Sequence, residues 1–237
     1  MLFEGDIDFI NEEFYVGHVT PLQLDMLLAS GWRHFGPQFF RYSLGIYESD
    51  IRRVIPLRIR LDSFSFSKSQ RRVLRQNQDA VVELRSIEAM DNEATALFER
   101  HKTRFKAGVP DSIADFISSP MPCDALELNV RIDDRLIAAS YFDIGERTVS
   151  AIYGMFDPEF SYRSLGIFTM LKEIEYAIEQ GKELYYQGYA YDGPSFYDYK
   201  KRFRPTERYD WNGNWSPLAV VEELNADDTD QADEEQI

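Results

Sequence analysis

Leu165, Phe168, Leu171, Ile174 and Ile178 recur at intervals of three and four residues, which is the spacing of one face of an α-helix. The pattern predicts a long helix over 164–180, with Lys172, Glu173, Glu175 and Glu179 turned outward and Gly181 as its C-terminal stop. Before it the period changes from 3.6 to two. Residues 125–132, 136–144 and 149–156 alternate as three antiparallel strands, with Asp133–Asp134 and Gly145–Glu146 as hairpin turns. After the helix, 183–189 reads as a strand, SFYDYKKRF at 195–203 as helical, and 207–211 as a last strand.

The first half is patterned less regularly. Thr20 as N-cap and Pro21 at the first helical position predict a short helix that presents Leu22, Met26 and Leu27 and ends at Gly31; what precedes it reads as loop. Segments 38–47 and 53–61 have strand character, and the second sets Ile55, Leu57, Ile59 and Leu61 against a face carrying Arg58 and Arg60. A helix starts at Ser67 or Ser69 and runs to about Gln78, followed by a strand at 81–84 and a helix at 92–104. Breaks at 108–110 and 118–122 flank a shorter helix at 112–117. Together these elements predict an α/β (α+β) fold: a mixed, mainly antiparallel sheet flanked by helices. The expected division is a small N-terminal subdomain at 1–78, a main domain at 79–216 and an acidic, disordered tail at 217–237.

With 44% hydrophobic residues among 237, the chain can bury one substantial core without staples. Cys123 is its single cysteine, so neither an intramolecular disulfide nor a cysteine cage can form. His18, His34 and His101 lack ligand spacing, and solvated or capping roles are expected for them; no metal is expected. The acidic start MLFEGDIDF is unlike a secretory signal, and no apolar run is long enough to span a bilayer, so the expectation is a cytoplasmic protein without membrane contact.

A formal charge of −15 argues against a nucleic-acid partner until its distribution is considered. Six of the 41 acidic residues fall in the last 13 positions, whereas the stretch from Arg52 to Arg75 holds eight basic residues and one acid, Asp62. A second basic group comprises Lys200, Lys201, Arg202 and Arg204. A solvated helix face is the commoner meaning of such a run, but the same patches can grip a phosphate backbone, and the tail can compete for them.

Strand, loop and helix start, in the order found at 149–168, form the arrangement in which a GNAT fold cradles phosphate on helix amides. Arg163 and Gly166 supply half of its usual motif. Phe168 replaces the second small residue, and a ring there is expected to obstruct a CoA pyrophosphate. Three blocks taken together are more specific: FSKSQRRVLRQN at 66–77, YGMFDPEFSYRSLGIF at 153–168, and YYQGY at 185–189 followed by YDYKKRFRP at 197–205. In this order they resemble the arginyl-tRNA–protein transferases and their bacterial leucyl-transferring relatives, over roughly 32–211.

The resemblance implies a GNAT-like domain that moves an amino acid from its tRNA ester to the amine of a protein or peptide, typically one with an acidic N-terminus, the modification that creates an N-degron. It implies aminoacyl-tRNA as co-substrate and no cofactor, because the ester is already activated. It places Asp157 and Tyr153 as catalytic candidates. Lys68, Arg71 and Arg72 would hold tRNA phosphates or an acidic side chain, and Ser164, Leu165 and Gly166 would form the phosphate loop. Gly188 and Tyr189 would border the acyl site, and Lys200 and Arg204 would meet the tRNA 3′ end. Each also has a plain structural reading as turn, packing or solvated residue. The chain departs from the family near 42–56, where a cysteine cluster is usual and this sequence has Tyr42, Leu44, Ile46 and Ile51. A CoA-dependent N-acyltransferase and a non-catalytic binding homologue are the alternatives.

Overall fold

The computed structural model describes residues 9–87, 91–105 and 109–219. Thr20 caps α1 (Pro21–Ala29), which packs beside a three-stranded sheet of β1 (Asn11–Tyr15), β3 (Gln38–Tyr42) and β2 (Arg33–Phe35). β1 falls where the sequence reads as loop. The inward residues of α1 are Leu24 and Leu28, two positions on from Leu22 and Met26 of the expected face, which are exposed.

Next come β4 (Leu44–Tyr47), which pairs with β5 (Asp50–Arg60), then α2 (Lys68–Gln76), β6 (Val81–Ser86) and α3 (Asn92–His101). The helix expected at 112–117 shortens to a single 3₁₀ turn, Ile113–Asp115. β7 (Ala125–Ile132), β8 (Arg135–Ile144) and β9 (Thr148–Phe156) form the anticipated meander. A 3₁₀ segment, Pro158–Arg163, leads into α4 (Leu165–Glu179), and β10 (Leu184–Tyr191) follows. The segment expected to be helical at 195–203 is 3₁₀, Phe196–Arg202; β11 (Thr206–Tyr209) and β12 (Trp215–Pro217) close the described chain. The tail beyond residue 219, with its expected disorder and competition for the basic patch, lies outside the described residues.

The large sheet runs β12-β11-β5-β10-β9-β8-β7-β6, with β4 paired to β5. All its pairings are antiparallel except β9 with β10. This is the mixed, mainly antiparallel sheet flanked by helices that the sequence predicts. β5 stands between β11 and β10, so residues assigned to the N-terminal subdomain lie within the main sheet. Arg58 ties β5 to β11 and β12, its Nε donating to Glu207 at 2.7 Å and its guanidinium stacking over Trp215, whereas Arg60 pairs with Asp62 in the turn that follows. The cationic run of the sequence is therefore divided between β5 and the exposed face of α2.

One face of the sheet buries Ile59, Leu128, Phe142 and Tyr185 against Leu165, Leu171 and Ile174 of α4. Each such side chain contributes about 2 kcal/mol by leaving water. The opposite face packs against α3 through Leu97 and Phe98, and against α1 through Leu24 and Leu28 around Tyr186. Two assignments on α4, one inward and one outward, are reversed. Ile178 is exposed, whereas Glu173 is buried, because 165, 169, 173 and 177 form one stripe that turns toward the sheet. Tyr185 Oη donates to Glu173 Oε2 at 2.7 Å and satisfies the buried carboxyl.

Candidate functional site

β9 and β10 run parallel only from Thr148↔Leu184 to Ser150↔Tyr186 and then part. β10 stays with β5 as far as Tyr191↔Val54, across a bulge between Tyr186 and Gly188, while β9 stays with β8 to Phe156. Gly188 has φ +89°, a conformation that glycine adopts without the Cβ penalty. The result is a fork in the middle of the sheet, and α4 begins at its open end because it follows the C-terminal end of β9.

Several polar groups converge on this fork. Arg33, at the start of β2 and 9% exposed, reaches across to β9: its Nη1 donates to Ser150 Oγ at 2.6 Å and its Nη2 to the carbonyl of Ala151. Lys200, half-buried on the 3₁₀ segment, donates through Nζ to the Tyr189 carbonyl at 3.1 Å. A Cβ added at Gly188 would lie 3.5 Å from Lys200 Nζ and 3.6 Å from Arg33 Nη2, so both cations approach the same spot. Burial and the neighbouring Arg33 push the Lys200 ammonium down to about 7. Below, burial pushes the Glu173 carboxyl up to about 7.

Two buried polar atoms on the forking strands have no hydrogen-bond partner, Tyr153 Oη on β9 and Gln187 Oε1 on β10. The Gln187 amide is oriented by its Nε2, which donates to the Lys200 carbonyl at 2.9 Å. Orphaned buried polar atoms are rare in native folds, and each calls for a partner such as water, an ion or a ligand. The Tyr153 ring itself stacks on Phe116 with centroids 4.0 Å apart, and burial pushes its phenol up.

The remaining sequence candidates separate into three groups. Gly188, Tyr189 and Lys200 belong to the fork, and Tyr189 Oη is anchored on the Gly31 carbonyl. Lys68, Arg71 and Arg72 lie on the exposed face of α2, whose C-terminal end is stitched to the α4 start: Gln76 Nε2 donates to the Tyr162 carbonyl and Asn77 Nδ2 to that of Arg163. Ser164, with φ +53°, and Gly166 stand at that start, whereas Leu165 is fully buried. Arg204 is exposed on the loop after the 3₁₀ segment.

Arg163, of the expected phosphate motif, is instead clamped to Asp79 at 2.8 and 2.9 Å. The Phe168 ring turns into the core rather than across the helix start, so the expected obstruction is not formed. Asp157 is wholly buried at the end of β9, where its carboxylate accepts from Arg100 Nε at 2.7 Å, Arg135 Nη2 at 2.6 Å and the Glu159 amide. Burial pushes this carboxyl up, but the hydrogen bonds and cations outweigh it and hold it below its ordinary value. Asp157→Ala is expected to destabilise the fold by about 2 kcal/mol, read from the urea midpoint, because it leaves two guanidiniums that can still reach water.

His34 and Cys123, isolated in sequence, meet Asp143 in space. His34 Nε2 lies 2.8 Å from Asp143 Oδ2, and Cys123 Sγ donates to Oδ1 at 3.1 Å. The three ligand atoms lie within 4.8 Å of one another, so this buried trio is the one set among the described residues able to hold a metal ion. Of the solvated or capping roles expected for the histidines, solvation is ruled out for His34 and His101, both buried. Sequence reasoning named neither Arg33 nor Gln187 as a site residue, and the available signal was their position, just after a helix stop and within the YYQGY block beside Gly188.

Residues 93–210 match the family model described as Arginine-tRNA-protein transferase, C terminus. The aspartate/glutamate leucyltransferase of Pseudoalteromonas atlantica is 30% identical over 191 residues, covering 78% of this chain and 80% of that protein. The chain belongs to this transferase family. The corresponding protein of Xanthomonas axonopodis is 33% identical over 181 residues, covering 68% and 70% of the two chains. Among solved structures, FemX superposes with a TM-score of 0.49 at 14% identity over 76% of this chain and 64% of that one. L-PGS from Bacillus licheniformis gives 0.47 at 13% identity, over 73% and 52%. Family membership makes the protein an aminoacyltransferase that uses aminoacyl-tRNA. Among the described residues no helix is long and apolar enough to cross a membrane.

Proposed function

We propose that the protein transfers an amino acid from tRNA to the α-amine of a protein or peptide whose first residue is acidic, within the cytoplasm and without a metal or cofactor. The observation that carries this reading is the fork, where unpartnered Tyr153 Oη and Gln187 Oε1 flank the open ends of two parallel strands. The donor arrives as an ester, so the site must align an amine with its carbonyl and stabilise the oxyanion. Gln187 Oε1 accepts a hydrogen bond from the incoming amine, and Tyr153 Oη donates one to the oxyanion. As the C–N bond forms and the C–O bond breaks, the proton lost by nitrogen passes to the departing ribose oxygen. Asp157 serves as a positioning residue that fixes the end of β9 through Arg100 and Arg135.

The tRNA body is held by α2. Replacing Lys68, Arg71 and Arg72 together by alanine is expected to weaken binding of all tRNAs alike and to lower the slope of log K against log salt by about 2, measured by filter binding. The transfer itself is tested with radiolabelled aminoacyl-tRNAs and peptides that begin with aspartate or glutamate. Labelled peptide is expected; neither transfer nor protection of any ester against hydrolysis would refute the reading.

A further inference from the structure

The buried end of the fork holds two cations that lack an anion. Neither Arg33 nor Lys200 has a carboxylate within ion-pair distance among the described residues, whereas more exposed arginines do: Arg85 with Glu127, Arg131 with Glu93 and Arg163 with Asp79. The buried carboxylates nearby are already engaged, Asp143 by His34 and Cys123, and Glu173 by Tyr185. Two like charges facing one point in a dry setting are costly unless a counter-charge joins them. Arg33 is held in place by Ser150 and Ala151, which occupy two of its five N–H donors, and the rest of its planar edge remains for a two-oxygen acceptor. Lys200 spends one donor on Tyr189.

We infer that Arg33 and Lys200 form a receptor for the side-chain carboxylate of the acceptor's first residue at Gly188, where both cations approach the position a Cβ would take. The inference rests on the transferase reading above. A carboxylate is favoured over a donor phosphate because the polynucleotide already has the solvated cations of α2, while the fork accepts a side chain carried in with the amine that must reach the same place. Glycine at 188 lets the acceptor backbone come close, and the carboxylate then fixes that amine relative to Gln187.

The test uses the full chain without tRNA and three peptides that differ only in their first residue, Asp, Asn or Ala, titrated by calorimetry. The Asp peptide is expected to bind about tenfold more tightly than the Asn peptide, the effect of a charge-assisted bond. Lys200→Gln, which keeps a donor for the Tyr189 carbonyl, and Arg33→Lys are each expected to bring that ratio toward one, with thermal melting as the check that both fold. Equal binding of Asp and Asn peptides by the wild type overturns the inference, as does an undiminished ratio in both variants. Binding of inorganic phosphate with no Asp preference also overturns it and assigns the pair to the donor. Transfer that ignores the first residue sinks this inference, and the acidic acceptor with it, but leaves tRNA-dependent aminoacyl transfer itself intact. Asp-selective binding with no transfer from any charged tRNA does the reverse.

Discussion

Gly188→Ala is expected to lower kcat/KM for aminoacyl transfer by about 100-fold while tRNA affinity stays within the error of measurement. Two independent effects act at this position. The backbone sits at φ +89°, where an L side chain is strained by about 1 to 2 kcal/mol, so the bulge that parts β10 from β9 relaxes. The new methyl group also stands 3.5 Å from Lys200 Nζ and 3.6 Å from Arg33 Nη2, in the space between the cations. The cationic face of α2 lies on another element and has no part in either effect, so donor binding provides the internal control. Steady-state transfer kinetics beside filter binding decide the matter, and retention of near-normal transfer would remove the fork as the reaction site.

The buried carboxyl of Glu173 gives the second large effect, on stability rather than rate. Its folded-state value of about 7 lies above the ordinary glutamate value of 4.5, because burial disfavours the charged form. Between these two values the folded chain holds a proton that the unfolded chain has released, so unfolding becomes easier as pH rises. The contribution is fully present below pH 4.5 and is lost as pH climbs through 7. Glu173→Gln keeps an acceptor for Tyr185 and removes the titration. The variant is therefore expected to gain on the wild type from near zero around pH 4.5 to about 3 kcal/mol by pH 8, in urea unfolding across that range. The comparison cancels the titration of Lys200 and His34, which both proteins share. Parallel pH profiles for the two would show that the carboxyl stays ionised in the folded chain.

Arg33 and Glu173 also show where sequence reasoning stops. Periodicity assigns glutamate to the outside of a helix, and for Glu175 and Glu179 this is sound; Glu173 breaks the rule because its stripe is shared with Leu165 and Ala177, and a tyrosine on the facing strand satisfies it. Ile178 was misplaced for the converse reason, since the helix presents its last turn beyond the edge of the sheet-facing stripe. The basic run before residue 76 was legible as charge, but not as two populations, because only strand pairing reveals that Arg58 is needed by Glu207 while Lys68 faces solvent.

Local patterns alone determined the hairpin strands β7, β8 and β9, the long α4 with its glycine stop, the capped starts of α1 and α2, and the three blocks that carry the family resemblance. These are short-range properties: a period, a cap and a turn each occupy a few adjacent residues. The fork, the convergence of Arg33 and Lys200 from positions 167 residues apart on Gly188, and the meeting of His34, Cys123 and Asp143 were decided only by the tertiary fold. Those placements depend on which strands pair and where pairing ends, and the burial that unpairs a cation or shifts a carboxyl exists only once distant segments have closed over it.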